Sequence, residues 1–222
     1  MGRSPGGSAR VDAPRSRPAL IPALRPAAVA LAIVGAVLLA VPAVLYAGQT
    51  GPGRLDSWIQ PRINTPSPAW WGVLVVDWVG EPIGRLFAVL LVTAVCLLAG
   101  RYRLALTAVG AVVVVTATSL VLKELVDRRI HGDFLSYPSG HTAATTAVCL
   151  VLGLFLSDVL VLDRALATVV VTGLALLGGG VMAYAQIDLT AHYPTDTLGG
   201  FGCALLMVPA TAALVDKLAD RR

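Results

Sequence analysis

The chain carries little charge for its length. Asp, Glu, Lys and Arg make up 14% of its 222 residues, whereas soluble domains carry about a quarter. Hydrophobic residues make up 56% and the mean hydropathy is +0.78, so a single soluble core cannot bury them all. Cysteine is scarce as well, and Cys96, Cys149 and Cys203 lack the spacing of a metal site or a redox pair. These shortages exclude an ordinary soluble domain and a cysteine-based metal or redox centre.

Long uncharged apolar runs predict membrane-spanning helices. A helix needs roughly 20 apolar residues to cross the hydrocarbon layer. Four runs have that length, 27–47, 104–122, 165–187 and 197–215, and two shorter runs, 86–100 and 142–157, reach it with neutral flanking residues. Since the bilayer core offers no water to the backbone, such runs form helices and not strands. We therefore predict an all-α integral membrane protein with a six-transmembrane-helix bundle over residues 26–217.

The distribution of Lys and Arg predicts the orientation of this bundle. Six spans place both termini on one side, which then holds 11 of the 17 Lys and Arg residues and is expected to be cytoplasmic. Residues 1–25 are rich in Gly, Pro, Ser and Arg and predict a disordered basic cytoplasmic tail, and residues 218–222 form a second cytoplasmic tail. We interpret 27–47 as an uncleaved first span and not as a signal peptide. The multi-pass protein is thus expected in the cell membrane, with both termini cytoplasmic.

The outer connection between the first two spans contains all four tryptophans. They lie between positions 58 and 78. Because Trp favours the headgroup level of a bilayer, this connection is expected to lie along the outer interface, with a short interfacial helix over 70–79. We expect this segment to anchor the protein and to take no part in chemistry.

Two polar strings, PSGH at 138–141 and HYPTD at 192–196, each lie where an outer loop precedes an apolar helix. Helix starts offer free N–H groups and the positive end of the helix dipole, which bind anions. Ser139 is expected to cap its helix, and Gly140 allows close approach of a ligand to the backbone. Lys123, Arg128 and Arg129 fall on the same side, and such cations bind phosphate oxygens. The pattern predicts a phosphate-binding pocket at the outer surface.

Two histidines and a carboxylate supply candidate catalytic groups for this pocket. A neutral imidazole attacks phosphorus, and a second, protonated imidazole gives its proton to the departing oxygen. Asp196 follows His192 by four residues and is expected to accept its ring N–H. His141, His192 and Asp196 are therefore the predicted catalytic residues.

These residues resemble the type 2 phosphatidic acid phosphatases, which are related to bacterial nonspecific acid phosphatases and vanadium-dependent haloperoxidases. The family has a first motif that begins with Lys and ends in Arg-Pro, a second motif Pro-Ser-Gly-His, and a third with Ser-Arg, five residues, His, three residues and Asp. Lys123 matches the start of the first motif, 138–141 match the second in full, and His192 and Asp196 match the end of the third. The resemblance covers roughly residues 83–215.

The chain departs from the family pattern at both arginines. Ile130 and His131 stand where the first motif has Arg-Pro, and Ala185 and Gln186 stand where the third has Ser-Arg. Arg128 and Arg129 lie one or two residues early, and Gln186 offers an amide hydrogen bond in place of a charge. We assign Arg128, Arg129 and Gln186, together with Lys123, Ser139 and Gly140, to binding of the substrate phosphate.

The resemblance implies a membrane phosphatase that hydrolyses a lipid phosphate or diphosphate at the outer leaflet. His192 would form a phosphohistidine, His141 would protonate the leaving oxygen, and water would hydrolyse the intermediate. No cofactor or metal is expected, and the expected partners are a lipid phosphate substrate and membrane lipids, not nucleic acid. Two alternatives stay open: a noncatalytic protein that binds or transports lipid phosphates, and a phosphoryl transferase with an acceptor other than water.

Overall fold

The computed structural model describes residues 17–64 and 70–221, which are almost entirely helical. A 3-10 turn at Pro22–Leu24 precedes the first helix. The α-helices are α1 Arg25–Leu45, α2 Arg54–Ile63, α3 Trp70–Gly80, α4 Pro82–Leu98, α5 Tyr102–Val126, α6 Gly140–Val159, α7 Arg164–Asp188 and α8 Pro194–Ala219. Two-residue strands, β1 Arg129–Ile130 and β2 Phe134–Leu135, form one antiparallel hairpin. The predicted all-α fold class is confirmed.

Five of these helices are long and apolar enough to cross a membrane, and a bent pair gives up to six spans. The five are α1 with its preceding turn, α5, α6, α7 and α8. The second span predicted from sequence, at 86–100, corresponds to α4, which joins α3 at an angle of 70°. Pro82 begins α4, where its missing N–H is not needed. Gly84 allows the bend, because a Cβ there would lie 2.8 Å from the carbonyl carbon of Trp78.

The last helix is at the centre of the bundle and packs against α1, α5 and α6. Gly35 of α1 and Gly202 of α8 face each other so closely that a Cβ on Gly202 would lie 2.7 Å from the carbonyl oxygen of Gly35. Small residues bring membrane helices together in this way, since dispersion contacts replace the hydrophobic effect inside a bilayer. Large apolar side chains on the outward faces of α1, α4 and α7 stay exposed, as lipid contact requires.

Residues before the first helix are ordered against the end of the last one. Asp216 of α8 accepts hydrogen bonds from the backbone N–H groups of Ala19 (2.7 Å) and Leu20 (3.0 Å), and Arg103 of α5 lies 3.3 Å from the same carboxylate. This anchoring differs from the disordered tail predicted for 1–25, because residues 19–24 are held by a buried carboxylate and apolar packing. Positions 1–16 of that prediction lie outside the described residues. At the other terminus, α8 continues to Ala219, two residues into the predicted tail.

The interfacial helix predicted over 70–79 corresponds to α3. It packs against α6 and α7 on one side, while Trp70, Trp71 and Trp78 are exposed. The helix therefore combines an outward aromatic surface with a side that faces the bundle. That inner side brings residues of α3 to the beginning of α6.

Candidate active site

The Pro-Ser-Gly-His string forms the beginning of α6. Ser139 is the N-cap, and its hydroxyl accepts a hydrogen bond from the backbone N–H of Thr142 (3.4 Å), as the sequence predicts. Gly140 is the first helical residue, and a Cβ there would meet nothing within 4 Å, so space is open beside this helix start. His141 follows with its side chain 22% exposed. Before the cap, Tyr137 is buried, which raises the pKa of its hydroxyl.

The second histidine lies in the short connection between α7 and α8. Its backbone N–H donates to the carbonyl oxygen of Gln186 (3.2 Å). The ring is 9% exposed, and its Nδ1 lies 3.7 Å from Oδ2 of Asp196 in the first turn of α8. The same carboxylate oxygen accepts the backbone N–H of Tyr193 (3.0 Å), which caps the helix and orients Asp196. His192 and Asp196 are therefore neighbours, as their spacing predicts.

The two helix starts are joined directly. The backbone N–H of Ser139 donates to the carbonyl oxygen of Asp196 (3.0 Å). Gly200 permits this approach, because a Cβ there would lie 3.2 Å from the backbone nitrogen of Ala143 and closer still to the carbonyl oxygen of Ser139. His141 and His192 are near enough to interact electrostatically. Residues more than 50 positions apart thus meet in one place.

Lys123 lies in the last turn of α5, and Arg129 begins the hairpin that follows it. Lys123 donates to the carbonyl oxygen of Leu135 (2.7 Å) and interacts electrostatically with Asp196, which places its ammonium beside the helix starts. Arg129 is more exposed, pairs with Asp127 (2.8 Å) and lies 3.9 Å from Asp133. Of these two cations, Lys123 is the one that interacts with Asp196.

Arg128 differs from its predicted role in phosphate binding. Its side chain is completely buried, and its Nη1 donates to both Asp196 Oδ1 and Thr195 Oγ1, each at 2.6 Å. Its guanidinium also packs on the rings of Tyr46 and Tyr193, at 4.3 and 4.5 Å from the ring centroids. Burial raises the pKa of Tyr193. A guanidinium enclosed in this way holds Asp196 and is not available to a ligand in the pocket.

Gln186 also has a partner that sequence reasoning did not identify. Its Nε2 donates to Oδ1 of Asp77 (2.7 Å), a carboxylate of α3. Oδ1 of Asp77 and Oε1 of Glu81 lie 3.7 and 3.6 Å from Nε2 of His141. Asp77 is the only charged residue in the apolar stretch 70–80, and that isolation is the signal that could have indicated a role for it.

The group formed by Asp77, Glu81 and His141 has two possible chemical uses. The carboxylates of Asp77 and Glu81 face Nε2 of His141 and can orient its ring. The ligand atoms of the three residues also all lie within 4.8 Å of one another, a spacing that fits a divalent cation. The sequence predicts no metal site, and this group was not among those predicted from it.

The fold and these residues define a multi-pass, all-α membrane protein with two histidines at the starts of two adjacent spans. Residues 19–220 match the model of the PAP2 superfamily, and the chain belongs to that superfamily. This confirms the family resemblance seen in the motifs.

The structure is similar to the crystal structure of a transmembrane PAP2-type phosphatidylglycerolphosphate phosphatase from Bacillus subtilis. The TM-score is 0.58 at 21% sequence identity, with 87% of this chain and 96% of that chain covered. At this identity the likeness shows a shared fold. None of the curated proteins compared with this chain matches it.

Proposed function

We propose that the protein is a lipid phosphate phosphatase that works through a phosphohistidine on His192. The observation that carries this proposal is the hydrogen bond from Ser139 N–H to the carbonyl oxygen of Asp196, which joins the two motif-bearing helix starts. This hydrogen bond brings His141 of α6 close to His192 and Asp196. His192 lies just before α8, and Asp196 lies in the first turn of α8. Membership of the PAP2 superfamily supports the same chemistry.

In the first step, a ring nitrogen of His192 attacks phosphorus. Because Nδ1 faces Asp196, the nucleophile is Nε2 on the opposite side of the ring. The new P–N bond forms as the bond from phosphorus to the lipid oxygen breaks. The ring becomes cationic, and Asp196 stabilises that charge through the Nδ1 proton. The separation of 3.7 Å shortens on reaction, as catalytic hydrogen bonds of unliganded enzymes commonly do.

His141 supplies the proton that the leaving oxygen needs. Asp77 and Glu81 face its Nε2 and can orient the ring toward the leaving oxygen. After transfer, the neutral ring accepts a proton from water, which attacks phosphorus and breaks the P–N bond. Inorganic phosphate and both starting protonation states result.

The phosphate is bound by groups around the two helix starts. The free N–H groups of Gly140 and its neighbours at the beginning of α6, capped by Ser139, form an anion site. Lys123 adds a charge near Asp196, and Arg129 approaches from the exposed hairpin. Gln186 donates a hydrogen bond to Asp77 and orients that carboxylate, so it acts on the phosphate only indirectly.

We propose that the reaction takes place at the outer leaflet. The sequence supports this orientation, because 11 of the 17 Lys and Arg residues fall at the opposite end of the bundle. A cysteine introduced at Gly132, in the exposed turn of the hairpin, should react with a membrane-impermeant maleimide in intact cells. Labelling only after the cells are lysed would mean that the hairpin faces the cytoplasm, which contradicts the proposed orientation.

The function is tested by phosphate release from purified protein in detergent, with phosphatidic acid, phosphatidylglycerol phosphate and polyprenyl diphosphates as substrates. We expect His192→Ala to abolish release. His131→Ala is the matched control, because His131 is exposed in the hairpin and contacts only the carbonyl oxygen of Thr190 among the bonds described. We propose that turnover needs no metal, so release should persist in EDTA. Loss in EDTA that added divalent cations restore would instead assign Asp77, Glu81 and His141 to a metal.

A noncatalytic role in lipid phosphate binding or transport is the second candidate. The observation that favours it is the engagement of Arg128 with Asp196 and of Gln186 with Asp77, which leaves fewer donors for a phosphate. Vanadate separates the two functions, because it adopts the trigonal bipyramidal geometry of the transition state and binds tightly to catalytic sites. A binding protein would bind vanadate no better than phosphate, and it would release no phosphate from any substrate.

A further inference from the structure

A buried ion cluster extends from the catalytic carboxylate to the outer helix α2. Arg128 donates from Nη2 to Oδ2 of Asp56 (2.5 Å) and from Nη1 to Oδ1 of Asp196 (2.6 Å). All three side chains have no exposed surface. One guanidinium thus bridges two carboxylates that are 140 positions apart in the sequence.

Asp56 is fixed from several directions. Its Oδ1 accepts hydrogen bonds from the backbone N–H of Thr195 (2.9 Å) and from the Thr195 hydroxyl (2.8 Å). Its Oδ2 accepts the backbone N–H of Gly53 (2.9 Å), which closes the start of α2. A residue of an outer connection therefore holds the first turn of the helix that bears Asp196.

The two carboxylate oxygens of Asp196 have different partners. Oδ1 is held by Arg128, while Oδ2 accepts Tyr193 N–H and faces Nδ1 of His192. The rings of Tyr46 and Tyr193 hold the guanidinium between them. If Arg128 were removed, Oδ1 would lose its charged partner, and the Tyr193 N–H would be the remaining donor that holds the Asp196 carboxylate toward His192.

We propose that Asp56 and Arg128 are positioning residues that orient Asp196 toward His192 and set the charge that this histidine experiences. This inference rests on the proposed function, in which His192 attacks in its neutral form. Neither residue touches the substrate, and Asp56 lies outside all three family motifs. The site therefore extends to helix α2, which the motifs do not include.

The charge of the cluster determines how its variants behave. Two carboxylates and one guanidinium leave one net negative charge beside His192. Asp56→Asn removes that net charge, so neutral His192 persists to lower pH and the acid limb of kcat/KM moves down. Arg128→Gln leaves two negative charges, so the limb moves up. The double variant has one net negative charge again, and its limb should return toward that of the unmodified protein.

Other charged groups near His192 stay the same in this series, so the shifts can be assigned to the cluster. They are His141 of α6, Lys123 of α5, Asp196 and Tyr193 at the start of α8, and Asp77 and Glu81 beside His141. We expect each single variant to shift the limb by on the order of one pH unit, as nearby charges commonly do. We also expect kcat of Asp56→Asn to fall roughly ten- to a hundredfold, because a misplacement of about 1 Å can reduce a rate by about a hundredfold.

The experiment measures pH profiles of lipid phosphate hydrolysis for the unmodified protein, the two single variants and the double variant. Asp133→Asn is the matched control, since its carboxylate is fully exposed in the hairpin. Thermal unfolding identifies any variant that does not fold. Arg128→Gln leaves two buried carboxylates without a cationic partner, so it is the variant that is most at risk of not folding. If it does not fold, Asp56→Asn and the double variant still test the direction of the shift.

Opposite shifts that cancel in the double variant would support the proposal. A uniform loss of kcat with no movement of the acid limb would overturn it and leave the cluster a structural role only. If the unmodified protein releases no phosphate, the proposed function fails by itself. The positioning of His192 is then read from the NMR titration of its ring in histidine-labelled protein, where Asp56→Asn and Arg128→Gln should move the midpoint in opposite directions. Midpoints that do not move would overturn the inference.

Discussion

Replacement of Gly80 by alanine should displace His141 without disturbing the bundle. A Cβ on Gly80 would lie 2.7 Å from Cγ and 2.9 Å from Cβ of His141, and closer still to Cδ2. To restore an ordinary contact of 3.4 Å, these two atoms must move by 0.7 and 0.5 Å. Because Cβ is one of them, rotation of the ring alone does not relieve the overlap. The backbone at Gly80 is helical, a conformation that alanine favours.

The expected magnitude follows from the sensitivity of catalysis to position. A misplacement of about 1 Å can reduce a rate by about a hundredfold, so we expect kcat for a lipid phosphate to fall roughly ten- to a hundredfold. The loss should depend on the leaving group, since we propose that His141 protonates it. An aryl phosphate, whose phenolate departs without a proton, should lose much less activity.

The assay compares kcat on the two substrates for the unmodified protein, Gly80→Ala and Gly72→Ala. Gly72 lies in the same helix, and a Cβ there would meet nothing within 4 Å, so its variant should retain full activity. Equal losses on the lipid and the aryl substrate would refute the role of His141 as a proton donor. Unchanged activity of Gly80→Ala on both substrates would refute the placement of the ring against α3.

Two further variants test the catalytic carboxylate and the helix packing. Asp196→Asn keeps the shape of the side chain but cannot stabilise the cationic histidine, so kcat should fall by roughly a hundredfold or more, and unchanged kcat would contradict its assigned role. Gly202→Ala brings a Cβ to 2.7 Å from the carbonyl oxygen of Gly35 and should cost roughly 1–3 kcal/mol of stability. The control is Gly173→Ala, because Gly173 also lies in a membrane helix and a Cβ there would meet nothing within 4 Å. The Tm of Gly202→Ala in detergent should lie below that of the control. Equal Tm values would contradict the close contact between α1 and α8.

The sequence predicts most of the bundle, because span length and lack of charge are local properties. The runs at 104–122, 142–157, 165–187 and 197–215 fall within long apolar helices, and the run at 27–47 matches α1 except for its last two residues. The bend between α3 and α4 was not predicted, since it depends on Gly84 meeting the backbone of Trp78, a contact that periodicity does not reveal. The ordered stretch 19–24 was also missed, because its partner, Asp216, lies almost 200 residues away.

In the site as well, contacts between residues close in the sequence could be predicted, and contacts between distant residues could not. The cap at Ser139 and the pairing of His192 with Asp196 follow from short spacings, and the structure contains both. The partners of Arg128 and Gln186 could not be predicted, because they are carboxylates on other helices, Asp56 and Asp77. A basic residue near a predicted anion site was assigned to the ligand, although a buried arginine needs carboxylate partners within the protein.

The central claim is the formation of a phosphohistidine at His192, and its direct test is to trap that intermediate. Purified protein is mixed with lipid phosphate, quenched in alkali, where phosphohistidine is stable, and digested for tandem mass spectrometry. We expect a phosphoryl group on the peptide that contains His192, with none on the same peptide of His192→Ala and an unchanged yield in His131→Ala. Continued phosphate release with no modified histidine, or a phosphoryl group on another residue, would contradict it.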